Sequence, residues 1–339
     1  MTHTAIDASR PPRPRAMAEQ RMFWMDILRG AAILAVIAYH SVSIPQNYGF
    51  TPNDTWRQLN ETLQLFRMPL LVFLSGMLLT RSLAKPVQQY LGGKLRGILW
   101  PFLIWSTIYI AVSARDFTDP DDLQHVYSGG SHLWFLGFIF VYYLAAKPLE
   151  AVDPLLVAAA AFGMALLSPD GAKYSERVFY LMALFFLGAA SSRHADITAR
   201  MLRSDRVWWL TPIVAVAAMA SVRFDLDFGP YWVAISLCGM LFFSALAQRL
   251  EQTPLAGPLI WIGQRSIVFY VSHAIFMILI ARIAGKAGVT SYAAPAVASI
   301  VVSLAGGWFL ALGMARWPAV AALFNAPISW LTTQSQKAV

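Results

Sequence analysis

Residues 23–44 read FWMDILRGAAILAVIAYHSVSI. A helix needs about 20 mostly apolar residues to cross the hydrocarbon core of a bilayer, and this run supplies them. Two ionisable residues interrupt its apolar body. Arg29 and His40 stand eleven residues apart. At 3.6 residues per turn that is nearly three full turns, so both point the same way, about 16 Å apart along the axis. Charged and titratable groups inside a bilayer are costly and usually face the interior of the bundle at a functional site. Taken singly, Arg29 reads more simply as a snorkelling arginine and His40 as a core or interfacial histidine. Their alignment on one face favours a site.

The rest of the chain extends this pattern. Of 339 residues, 58% are apolar and 13% charged, against about 45–50% and about 25% in a soluble domain. That excludes a disordered chain, a disulfide scaffold and nearly every soluble enzyme. The single cysteine, Cys238, lies in an apolar run and reads as core packing. One cysteine makes no internal disulfide, redox pair or cysteine-based zinc site.

Apolar runs suitable for spans occur at 23–44, 66–81, 98–114, 132–147, 152–167, 177–192, 207–222, 230–248, 259–281 and 293–315. The expectation is an all-α polytopic integral membrane protein with about ten transmembrane helices. Residues 1–21 are polar, basic and proline-rich and read as a flexible cytoplasmic tail. Residues 22–316 form the membrane domain, and 317–339 a cytoplasmic C-terminal tail. With that topology 16 Lys and Arg fall inside and 7 outside, while Arg29, Arg67 and Arg265 lie within spans. Positive residues favour cytoplasmic loops, so both termini are expected in the cytoplasm. The net charge of +8 is then largely topological. The expected partner is the bilayer, not nucleic acid.

Other buried ionisable groups recur at matching depths. The run LFRMPLLVFLSGMLLT (65–80) enters from outside and places Arg67 near the level of His40. Pro69 is expected in its first turn, and Ser75-Gly76 offers a notch for a neighbouring helix. His132 and Trp134 open a further span at the outer interface, where an aromatic belt alone accounts for a tryptophan. In the span 259–281, Arg265 and His273 are eight residues apart and share a face, with Tyr270 beside His273. Two layers follow. Arg29, Lys94, Arg96 and Arg265 form a cytoplasmic positive cluster suited to a phosphate or nucleotide. His40, Arg67, His132 and His273 form an outer layer suited to proton transfer near neutral pH. No metal site is expected.

These pieces resemble the membrane-bound acyltransferase-3 family. The matching motifs are Asp26-Ile27-Leu28-Arg29-Gly30 with His40, and Phe66-Arg67-Met68-Pro69 leading to Phe73-Leu74-Ser75-Gly76. Further along come His132-Leu133-Trp134-Phe135-Leu136, then Ile262-Gly263 and Ser266-Ile267 running to Tyr270 and His273. They occur in the family's order and cover most of the chain. The resemblance implies a ten-helix core in the bacterial cytoplasmic membrane. Its acyl donor would be acetyl-CoA or another acyl-CoA, the group transferred acetyl or alternatively succinyl, and its acceptor a hydroxyl of a surface or exported polysaccharide.

By that similarity His40 is the catalytic imidazole, acting as general base or accepting the acyl group itself, and Arg29 is a donor-side contact. Arg67 would stabilise the oxyanion or orient a substrate, and Lys94, Arg96 and Arg265 would join Arg29 in holding the donor. Ser75, His132, Trp134, Tyr270 and His273 bind the acceptor or support the site. Gly97 stands where the family pattern calls for a second arginine, which weakens the donor motif here. With about 24 residues after the last span, no periplasmic esterase-like domain is expected. The acyl group would pass directly to a glycan, or to a partner in a polysaccharide synthesis or export complex. The competing reading is a transporter of an anionic or lipid-linked sugar, against which stands the lack of an internal repeat.

Overall fold

The computed structural model describes residues 22–113, 115–169 and 172–327. Residues 1–21 and 328–339, which hold the expected N-terminal tail and most of the C-terminal one, lie outside the described residues. Those described are all-helical, with no strand among them.

Seven helical stretches are long and apolar enough to cross a membrane: Phe23–Asn47, Asp54–Leu83, Val87–Ser113, Asp205–Phe224, Pro230–Leu250, Ser266–Lys286 and Ala293–Arg316. An eighth arises if Tyr174–Arg193 and Ala195–Arg203, bent by 94°, count as one. The expected spans at 132–147 and 152–167 correspond to shorter apolar helices, Trp134–Ala146 and Pro154–Leu166. At 13 residues each these are only about 20 Å long, short of the roughly 30 Å hydrocarbon core. All ten expected runs are therefore helical, but only seven pass as full spans. The protein is a multi-pass membrane protein.

The helices in chain order begin with α1 (Phe23–Asn47), α2 (Asp54–Glu61), α3 (Gln64–Met77), α4 (Leu79–Leu83), α5 (Val87–Lys94), α6 (Trp100–Ser113), α7 (Pro120–His125) and α8 (Trp134–Ala146). They are followed by α9 (Pro154–Leu166), α10 (Lys173–Arg193), α11 (Ala195–Arg203), α12 (Thr211–Phe224), α13 (Val233–Leu250), α14 (Ala256–Gln264), α15 (Ser266–Lys286), α16 (Ala293–Arg316) and α17 (Pro318–Ala322). Helix α1 is the hub, packing on α3, α13, α14, α15 and α16.

Two crossings bring backbone directly against backbone. Gly30 of α1 faces the Leu259 carbonyl of α14, and Gly263 of α14 faces the Asp26 carbonyl of α1. Gly76 of α3 likewise meets the Phe185 carbonyl of α10, and Gly188 of α10 meets the Phe73 carbonyl of α3. Any Cβ at these four positions would collide with a carbonyl. Small residues permit this approach where lipid supplies no hydrophobic drive for helix association. The Ser75-Gly76 notch is thus a helix-packing device.

The structure corrects several local expectations. Helix α3 begins at Gln64, with α2 ahead of it, so Pro69 falls inside the helix and not in its first turn. A proline has no N–H for the carbonyl four residues back, which here is Leu65. The Ser236 hydroxyl of α13 donates to that carbonyl at 3.1 Å, and the Tyr180 hydroxyl donates in turn to Ser236 at 3.0 Å. The expected span 98–114 starts earlier. Lys94 and Arg96 sit within the helical stretch Val87–Ser113, which passes through a π-turn at Leu95–Leu99. Pro101 explains it: the proline removes one i→i−4 bond, and a wider turn absorbs the change.

The span 259–281 is broken at Arg265, between α14 and α15. Arg265 and His273 therefore do not share a continuous helix face, because the Gly263 crossing commits α14 to α1 while α15 starts afresh. The stretch after Arg316, expected as a tail, docks back as α17. The Trp100 indole donates to the Ala322 carbonyl at 2.7 Å and the Trp105 indole to Leu323 at 3.1 Å.

Candidate active site

The second half of α1 turns its His40 face into a cavity of about 880 Å³. Around it stand Tyr39, Ser43 and Asn47 from α1, Gln64 and Arg67 from α3, and Tyr109 from α6. Gly130, Ser131 and His132 come from the segment before α8, and Arg115, Trp134, Arg177, Asp227 and Phe228 also line it. The expected proximity of His40, Arg67 and His132 is present, since all three face one space.

Arg67 is 8% exposed. Its guanidinium lies over the Tyr39 ring, 3.6 Å from the centroid, and donates to the Asn60 carbonyl at 3.2 Å. A planar cation on an aromatic face is well held, as the ring quadrupole presents negative charge to it. Arg67 also lines the cavity.

Three imidazoles cluster here. The His40 ring is 5.1 Å from His273 and 6.5 Å from His132, and His132 is 5.3 Å from His273. His40 Nδ1 shares a hydrogen bond of 3.3 Å with the Ser43 hydroxyl, one helical turn on, which leaves Nε2 for a ligand. His273 Nδ1 bonds the Phe269 carbonyl at 3.1 Å, and His132 Nε2 bonds the Val271 carbonyl at 3.3 Å. A carbonyl only accepts, so those nitrogens carry the protons. The opposite nitrogens, His273 Nε2 and His132 Nδ1, are buried acceptors without a hydrogen-bond partner among the described residues. Tyr270 donates from its hydroxyl to the His132 backbone carbonyl and so supports the loop from behind. His132 itself precedes α8, so its position comes from this loop and not from a helix start.

A cavity inside a helical membrane bundle, walled by a partly free imidazole and a buried guanidinium, matches what a transferase needs for acyl chemistry. A family profile described as an acyltransferase domain, that of the acyltransferase-3 family, matches residues 22–312. The chain belongs to this family. No curated protein and no solved structure matches it.

The remaining expected residues of this acyltransferase each have contacts of their own. Lys94 lies over the Tyr143 ring at 3.4 Å and more loosely over Tyr90 at 5.3 Å. Arg29 pairs with Asp26 at 3.7 Å. The Tyr143 hydroxyl under Lys94 donates to the Ser75 carbonyl at 2.8 Å. Arg265 folds back over Trp261, 4.5 Å from the ring centroid, and donates to that residue's carbonyl. Arg96 donates to the Ala326 carbonyl at 3.2 Å, which ties it to the C-terminal stretch. The Ser75 hydroxyl turns back to the Leu71 carbonyl at 2.8 Å, and Ser75 is not on the cavity wall. Among the described residues no group of three His, Cys, Asp or Glu side chains is placed to hold a metal ion.

Sequence reasoning passed over Tyr39, Ser43, Tyr109, Arg177, Asp227 and Phe228. Tyr39 and Ser43 flank His40 and were within reach of a closer reading of α1. Arg177 and Asp227 read as ordinary loop charges, and nothing local in the sequence links them.

Proposed function

We propose that this acyltransferase moves an acyl group, acetyl by preference, from a cytoplasmic acyl-CoA to a hydroxyl of a surface or exported polysaccharide. It would act in the bacterial cytoplasmic membrane with both termini inside. The observation that carries the reading is His40 and Arg67 facing one cavity, each held by its own neighbours. The acceptor hydroxyl would give its proton to His40 Nε2 as its oxygen attacks the thioester carbonyl. The carbonyl oxygen would gain negative charge and Arg67 would meet it. A fixed cation aimed at developing charge in a dry site is a strong contributor to catalysis. The C–S bond would then break, and His40 would return the proton to the leaving sulfur, balancing the step.

The donor's phosphates would sit toward Arg29 and Lys94, some three turns along α1 from His40, with the thioester arm reaching the cavity. Arg96 and Arg265 would support that end through Ala326 and Trp261. A polysaccharide synthesis or export complex would supply the acceptor.

The test compares glycan O-acylation in cells carrying the wild type, His40→Ala and Arg29→Ala. Loss of acyl ester in His40→Ala at normal membrane abundance supports the reading. Retained acylation in that variant overturns the role of His40. Movement of acceptor across the membrane without acyl transfer would favour a transporter instead.

A further inference from the structure

At the mouth of the His40 cavity, Trp134, Arg177, Asp227 and Phe228 meet from three separate stretches of chain. The Trp134 and Phe228 rings are nearly parallel, 17° apart with centroids at 6.4 Å. The Arg177 guanidinium lies over both, 5.6 Å from Trp134 and 5.1 Å from Phe228. Asp227 organises the group. One carboxylate oxygen accepts from the Phe228 amide at 2.8 Å, and the other from Arg177 at 3.3 Å. The side chains of the pair are 36% and 49% exposed. An ion pair this wet contributes little to holding a fold, so stability does not account for the arrangement.

We infer that Trp134, Phe228 and the Arg177–Asp227 pair form a subsite for a sugar ring of the acceptor, next to the ring that receives the acyl group. The inference rests on the reading above that the acceptor is a glycan. A sugar ring has C–H bonds on its faces and hydroxyls around its edge. The weakly positive C–H face suits the negative face of an aromatic ring. Each hydroxyl both donates and accepts, whereas a carboxylate only accepts and a guanidinium only donates. Neighbouring hydroxyls can therefore satisfy Asp227 and Arg177 together. The polyphosphate end of an acyl donor would find the aromatic faces but would be opposed by Asp227. A plain acyl chain would leave both charges unused.

The test uses the full chain in nanodiscs, with acetyl-CoA as donor. The acceptor probe is polysaccharide from cells in which the wild type acylates, stripped of esters by mild alkali. Phe228→Leu keeps apolar bulk and removes the ring. Asp227→Asn removes the charge that orders the group. Each is expected to raise the KM for polysaccharide about 3- to 10-fold, the size of a ring-stacking contribution. The kcat and the KM for acetyl-CoA should stay within about twofold. Phe228→Tyr restores the ring and should restore the KM, which separates loss of the platform from loss of fold. An unchanged polysaccharide KM in both variants overturns the inference, as does a rise in the acetyl-CoA KM instead. His40→Ala runs alongside. If it is inactive while the rim variants behave as wild type, only the subsite falls; if it remains active, the proposed reaction falls.

Discussion

The His40 and His273 rings stand 5.1 Å apart and 37° from coplanar, and His273 is fully buried behind the imidazole that reaches the cavity. His273 gives its Nδ1 proton to the Phe269 carbonyl and keeps an unpartnered acceptor at Nε2. A bare lone pair in a low-dielectric interior acts strongly on any donor nearby. A positioning role of His273 toward His40 can be tested directly. His273→Leu should keep the fold, because the volume is nearly conserved, the lost Nε2 acceptor was unsatisfied and only the bond to the Phe269 carbonyl is given up. It should lower kcat about 10- to 100-fold and change the shape of the pH–rate profile, with both KM values unchanged. A wild-type pH profile with normal kcat would remove this role.

Arg67 tests the charge argument differently. Arg67→Lys keeps a positive charge but loses the planar fork that lies on Tyr39 and reaches the Asn60 carbonyl. If the guanidinium meets the developing oxyanion, kcat falls about 100-fold in Arg67→Gln. Arg67→Lys should recover only part of that loss, because a point charge lacks the fork. Full recovery by lysine would mean that charge alone matters. The measurement is single-turnover acyl transfer.

The proline in α3 offers a clean double-mutant cycle. Ser236→Ala leaves the Leu65 carbonyl and the Tyr180 hydroxyl without their shared partner, at a cost of about 1–3 kcal/mol. Pro69→Ala restores the backbone N–H that Leu65 lacks. Ser236→Ala should therefore cost less in the Pro69→Ala background than alone, with coupling on the order of 1 kcal/mol. Thermal unfolding in detergent reads it. Additive effects would mean that Ser236 does not substitute for the missing amide.

A pH effect is expected in the segment between α6 and α8. The Asp122 carboxylate accepts from the Asp116 amide at 2.9 Å and from Arg115 at 2.5 Å. The backbone bond, then the arginine, hold its pKa below the usual carboxylate range. A depressed carboxylate stabilises the folded form above its unfolded pKa and loses that contribution as pH falls through the folded value. Protection of the amides around Asp116 and Asp122, taken relative to intrinsic exchange at each pH, should thus be lost below about pH 4. Asp122→Asn should exchange fast at neutral pH too. Equal protection on both sides of pH 4 in the wild type would exclude this clasp.

Where the sequence is legible and where it is not follows from the range of the forces involved. Apolar runs and their length report on a solvent that every residue meets, so all ten runs are helical. The facing of Arg29 and His40 needs only helical periodicity within one continuous segment, and α1 is continuous. The same reasoning failed for Arg265 and His273 because a crossing with α1 intervenes, and no count along one segment reveals it. The π-turn before Pro101 had a local signal in the proline itself. The Arg177–Asp227 pair had none, since fifty residues separate its members and only the packed bundle joins them.

The two glycine crossings have a consequence for genetics. A library screened for loss of acylation would return Gly30, Gly76, Gly188 and Gly263 beside His40, because one added carbon at any of them forces two backbones apart. The two groups would separate on a blot of the membrane fraction. The histidine variants would be present and silent, and the glycine variants missing.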